Sequence, residues 1–129
     1  MRVYKIQSFS KWAKKEKIHD QHLLATINEM RAGNFEVNLG GKLYKKRVAL
    51  GNKGKRAGAR TILAFIADDK AFFLYGFRKN QMENIETQQL NALKKLAHEL
   101  LGYTEEQTKK ALTDKFFYEV QQNEKERTE

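Results

Sequence analysis

Two runs constrain this chain more than any others: Thr61-Ile-Leu-Ala-Phe-Ile66 and Ala71-Phe-Phe-Leu-Tyr-Gly-Phe77, parted by the polar Ala67-Asp-Asp-Lys70. Each is short, rich in β-branched or aromatic residues, and almost continuously apolar, the pattern of a strand covered on both faces. The polar four-residue turn folds them into an antiparallel hairpin. Cover must come from helices, and the flanking sequence supplies them. The periodicity changes from helical to alternating at Phe35 and back again at Thr87. The fold class is therefore α+β: one small domain, an antiparallel β-meander over residues 35–79 packed with helices, plus a C-terminal helix.

The remaining elements follow from local signals. Val3-Tyr-Lys-Ile6 reads as a first strand. Ser8 or Ser10 caps a short helix with Phe9, Trp12 and Ala13 on one face, so both serines are better explained as caps than as nucleophiles, and Trp12 as a core anchor. Asp20 caps a second helix carrying Leu23, Leu24, Ile27 and Met30, stopped by Gly33. Leu43–Leu50 is a strand with Lys45 and Arg47 on one side and Lys46 on the other. Gly51–Ala59, with three glycines, is a loop. Thr87 caps a third helix with Leu90, Leu93, Ala97, Leu100 and Leu101 in one stripe, ended by Gly102. Thr104-Glu-Glu-Gln107 is a capping box for a fourth helix, whose Leu112, Phe116 and Val120 recur every four residues. That spacing divides the chain into a domain over 1–103 and a helical extension over 104–129.

Charge carries the functional signal. The chain has 25 Lys+Arg against 16 Asp+Glu, yet residues 37–67 hold eight cations and no acid. These are Lys42, Lys45, Lys46, Arg47, Lys53, Lys55, Arg56 and Arg60, and outside this window 17 cations meet 16 acids. Such a block implies a polyanionic partner, nucleic acid before an acidic protein or a membrane surface. A tight turn at Asp68-Asp69 sets Arg60 opposite Phe77, so Lys53, Lys55, Arg56, Arg60, Arg78 and Lys79 meet at one end of the meander. Which sheet face each occupies depends on a one-residue register.

Several chemistries fall away. There is no cysteine, hence no disulfide, thiol nucleophile or Cys-ligated zinc, and His19, His22 and His98 form no metal-binding set. No cofactor or metal is expected. Gly51-Asn-Lys-Gly-Lys-Arg56 lacks the P-loop pattern and its strand-then-helix context. No carboxylate pair accompanies the basic window. No apolar run is long enough for a membrane helix and no signal peptide is visible, so a cytoplasmic location is expected. Chemistry performed by cations remains. RNA cleavage through its own 2′-hydroxyl requires in-line geometry, donors on the phosphate oxygens and two proton transfers. Arg suits the first task and a Lys crowded by cations the second. On the residues alone, phosphate binding and cleavage both stay open.

The pattern resembles the RelE/ParE superfamily of toxin–antitoxin toxins, on Lys46-Arg-Val-Ala-Leu-Gly-Asn-Lys-Gly-Lys-Arg-Ala-Gly-Ala-Arg60, Phe72-Phe-Leu-Tyr-Gly-Phe-Arg-Lys-Asn80, Asn84-Ile85 and the Leu90–Leu101 stripe. It is most similar to the RelE-type branch and covers about residues 2–102. The resemblance implies a RelE-like fold and an mRNA interferase that cleaves messages in the ribosomal A site. It also implies a cognate antitoxin, a DNA-binding protein encoded beside it, and is compatible with a homo-oligomer. Carried over by position, Arg60 stabilises the scissile phosphate, Lys53, Lys55 and Arg78 join it as catalytic residues, and Lys45, Lys46, Arg47, Arg56 and Lys79 bind RNA. The RelE tyrosine beyond the last basic position is replaced by Asn84 and Ile85, which leaves the acid/base assignment open. Tyr75 and Tyr103 could substitute, although both suit packing. The same fold without chemistry would give a ParE-like gyrase-binding toxin or an RNA- or antitoxin-binding remnant.

Overall fold

A computed structural model describes residues 1–49, 59–78 and 85–122. The chain runs β1 (Arg2–Ile6), α1 (Gln7–Lys15), α2 (Asp20–Arg31), β2 (Val37–Gly40), β3 (Leu43–Val48), β4 (Ala59–Ile66), β5 (Lys70–Arg78), α3 (Thr87–Leu101), α4 (Glu105–Thr113) and β6 (Phe117–Glu119). The described strands form one mixed sheet in the order β2-β3-β4-β5-β1-β6. The antiparallel meander is β2 to β5, as the alternation predicts, and β4 and β5 lie at its centre. Strand β1 then pairs parallel to β5 and antiparallel to β6. Ile62, Leu63, Ala64, Ala71, Phe72 and Phe73 are wholly buried, because helices cover both faces of these strands. Among the described residues no helix is long and apolar enough to cross a membrane.

On one face α1 packs against β5 and α2 against β3. Phe9 stacks on Phe73 with ring centroids 5.3 Å apart, and Trp12 lies flat against the backbone of Gly76. A Cβ at Gly76 would come within 2.2 Å of the Trp12 ring. The sequence assigns Trp12 to the core, and the missing side chain of Gly76 is what admits it. Gly76→Ala should therefore destabilise the protein by about 1–3 kcal/mol, the usual cost of forced overpacking, measurable as a lowered urea midpoint at unchanged m-value.

The helix starts differ from the sequence expectation. Helix α1 begins directly from β1 with Ile6 at its N-cap, so neither Ser8 nor Ser10 caps it. Helix α2 is capped at His19 rather than Asp20. The His19 backbone N–H donates to His22 Nδ1 at 2.8 Å, and the two rings stack. Asp20 is engaged elsewhere, taking Lys5 Nζ at 2.6 Å on Oδ1 and the Gln121 N–H at 2.9 Å on Oδ2. Burial, with the neighbouring His19 as a lesser cause, lowers the His22 pKa from 6.5. A depressed folded-state pKa means the unfolded chain binds the proton first. Stability is thus complete above pH 6.5 and falls as the pH drops through the folded value. A melting series from about pH 7 to 5 should show this loss, and His22→Gln, which keeps a capping acceptor without titrating there, should show less of it.

At the C-terminal end, Thr104 and Gln107 form the expected capping box. The helix nevertheless stops at Thr113, and a turn with Lys115 at φ 60° leads into β6. Phe116 and Val120 are therefore not on a helical stripe with Leu112. Phe117 pairs with Ile6 across the sheet and is wholly buried, whereas Phe116 is 42 % exposed. Their four-residue spacing coincides with a helical period, but the backbone is claimed by the free edge of β1. On the sheet face opposite α1, Phe117, Tyr4 and Phe72 form a cluster with centroids 5.0–5.3 Å apart.

Candidate nucleic-acid interface

The register of the meander decides which cations can act together. Arg47, Arg60 and Phe77 are direct partners across β3, β4 and β5, and so share one face. The next row on that face is Lys45, Ile62 and Tyr75, with Val37 beyond Lys45. Lys45, Arg47 and Arg60 thus stand on one face. Beside them is a cavity of about 280 Å³ whose apolar lining includes Val37, Leu39, Ile62, Phe77, Ile85 and Leu90. Ile85 contributes only hydrocarbon to it.

Lys46 and Arg78 belong to the opposite face. Lys46 pairs with Thr61 in register, is 6 % exposed, and brings its Nζ 2.5 Å from Glu29 of α2. Arg78 is opposite Ala59 and places Nη1 2.6 Å from Glu16 at the end of α1. Both tie the sheet to its helical cover and are not brought onto the surface of Arg60. One residue of register separates Lys45 from Lys46 and Phe77 from Arg78, and with it the face each occupies. Lys53, Lys55, Arg56 and Lys79 lie outside the described residues. Tyr75 shares the Arg60 face, one row along, whereas the Tyr103 ring packs near Phe117.

One residue at the site is absent from the sequence expectation. Glu36, just before β2, donates its N–H to Lys45 O and brings Oε1 to 3.1 Å from Arg60 Nε. It closes the acid-free window at its N-terminal end, and only pairing of β2 with β3 carries it across to β4. The signal in the sequence was its position as the last acid before eight cations. The Arg60 side chain is 16 % exposed, and its Nη1 is buried without a hydrogen-bond partner among the described residues. A guanidinium is oriented on one edge by a carboxylate and keeps donor capacity elsewhere. Such a group is suited to meet a phosphate, because its planar fork matches two phosphate oxygens. Among the described residues no group of three or more His, Cys, Asp or Glu is arranged to hold a metal ion.

A family model described as the RelE toxin of the RelE / RelB toxin-antitoxin system matches residues 1–120. No curated protein matches the chain.

Proposed function

The chain belongs to the RelE toxin family, and on that premise we propose that it is a ribosome-dependent endoribonuclease acting through the Arg60 surface. As a toxin of a toxin–antitoxin module it has an antitoxin partner. The observation that supports cleavage over mere binding is the Glu36–Arg60 pair, a proton acceptor and a charge stabiliser held 3.1 Å apart on a cationic face.

In this reading the Glu36 carboxylate takes the proton from a 2′-hydroxyl, and the freed oxygen attacks the adjacent phosphorus. The bond to the 5′-oxygen breaks, leaving a 2′,3′-cyclic phosphate and a 5′-hydroxyl. Arg60 donates to the non-bridging oxygens as their charge builds, where an oriented donor is worth most. Lys45 and Arg47 hold neighbouring phosphates. Lys53 or Lys55 protonates the leaving 5′-oxygen, with Arg56 and Lys79 as further phosphate contacts. Arg78, paired with Glu16 on the opposite face, holds α1 to the sheet and does not reach the phosphate in this reading. Among the described residues the Arg60 surface supplies charge and one acceptor but no enclosed substrate cavity, and in this reading in-line alignment of the message falls to the ribosome, where effective-molarity gains are large.

The test incubates purified protein with one message, naked or on programmed ribosomes, at two salt concentrations. Cleavage should be fast on ribosomes, slow on naked RNA and steeply weakened by salt. Glu36→Gln should slow ribosome-bound cleavage by about 10²–10⁴-fold. Fast cutting of naked RNA would instead identify a free ribonuclease. No cutting, together with gyrase inhibition, would identify a ParE-like toxin.

A further inference from the structure

A second cleft lies between α1, the start of α2 and the β1–β6 edge. Its two lobes, of about 500 and 490 Å³, share Lys5, Ser10, Lys14 and Asp20. Lys17 and His19 border one lobe, Lys11 and Tyr118 the other. Lys5 and Tyr118 are register partners one residue out of phase with the Tyr4–Phe117 cluster, which puts them on the sheet face that α1 covers. The cleft therefore opens on the opposite side of the sheet from Arg60.

The sequence here is already basic, with six cations against Glu16 and Asp20 over residues 1–20, and the folded chain occupies both acids. Asp20 is consumed by Lys5 and by the Gln121 N–H, and Glu16 by Arg78. Lys11, Lys14 and Lys17 are exposed, and none forms an ion pair among the described residues. Lys11 and Lys14 thus stand about 4.5 Å apart along the α1 axis, Lys17 follows in the turn beyond it, and all three ammonium groups are uncompensated, with Glu119 the one lining acid left unpaired among the described residues.

We propose that this cleft docks the phosphate backbone of base-paired RNA, a second RNA contact on the side of the molecule facing away from the scissile message. The inference rests on the reading that the protein works on a message held within a largely RNA particle. The chemistry selects the form of RNA. Lysines are compact point charges that grip phosphates without reading bases. A single strand would call for aromatic platforms on which bases stack, and among the described lining residues only Tyr118 and His19 carry rings. A row of lysines beside a wide polar cleft fits the regular phosphates of a stem.

The experiment measures binding of a fluorescein-labelled RNA hairpin with a fully paired stem, by anisotropy at two salt concentrations. The variant is Lys14→Gln combined with Lys17→Gly. Lys17 has φ 62°, a left-handed conformation that glycine adopts freely, so its removal spares the fold. Lys17→Gly alone serves as the fallback if the double variant melts early. The double variant should bind the hairpin at least about tenfold more weakly at low salt, with a salt slope shallower by about two. Lys95→Gln combined with Lys109→Gln, which removes the same charge from exposed sites on α3 and α4, should bind as the wild type does. Unchanged hairpin affinity in the cleft variant, or equal weakening in the control, would overturn the proposal. So would lost affinity for polyglutamate with hairpin affinity intact, which would identify an acidic protein partner. Absence of cleavage on ribosomes by the unaltered protein, with the hairpin results as expected, would remove the catalytic reading and leave the cleft assignment standing.

Discussion

Arg60→Ala should abolish growth inhibition and lower cleavage of ribosome-bound message by about 10²–10³-fold, the usual cost of deleting one donor to a developing oxyanion. The fold should survive. The substitution removes a partly exposed ion pair with Glu36, and pairs of that kind contribute at most about 1 kcal/mol. It also removes a buried nitrogen that has no partner among the described residues, which is a cost to the folded state. The net change in melting temperature should therefore be small. Arg60→Lys should recover little, since an ammonium keeps the charge but neither the fork nor the reach to Glu36. Full toxicity in a folded Arg60→Ala protein would move the chemistry away from this face.

Phe117→Ala should destabilise the protein by about 3–5 kcal/mol, while its neighbour Phe116→Ala should change stability by less than about 0.5 kcal/mol. Phe117 is wholly buried against Tyr4 and Phe72; Phe116 is 42 % exposed. The contrast is a direct assay of strand against helix. Were residues 112–120 one helix, Phe116 would share the buried stripe of Leu112 and the order of effects would reverse. Chemical denaturation of the two variants decides it. A loss as large as that expected for Phe117→Ala is a substantial share of the 5–15 kcal/mol typical of a domain's whole stability.

These two residues also mark where the sequence is legible. Local signals suffice for β4 and β5, because a strand buried on both faces writes its apolar character into every position. They suffice for the Leu90–Leu101 stripe, repeated through four turns. They fail at Phe117–Glu119, three residues whose conformation is imposed by β1 from more than a hundred positions away. Capping fails in the same way: Asp20 has the chemistry of a cap, but Lys5 and Gln121 claim both carboxylate oxygens. At the site, a basic window is a property of composition and can be read directly. Its division into Lys45 with Arg47 on one face and Lys46 on the other follows from alternation. Which of the two faces is open depends on where the helices pack. Glu36 reaches Arg60 only through two strand pairings, so no spacing rule exposes it.

Strand β1 has a consequence for time as well as architecture. Its first partner is β5, some seventy residues later in the chain, and its second is β6, later still. At about 5–20 residues per second of synthesis, Tyr4 waits on the order of ten seconds before Phe117 exists to cover it. Pairings of such long sequence separation also form slowly. The sheet supporting Arg60 is thus completed only after residue 119 has been made. On the function proposed above, the toxin is in this way assembled too late to attack the ribosome that is making it.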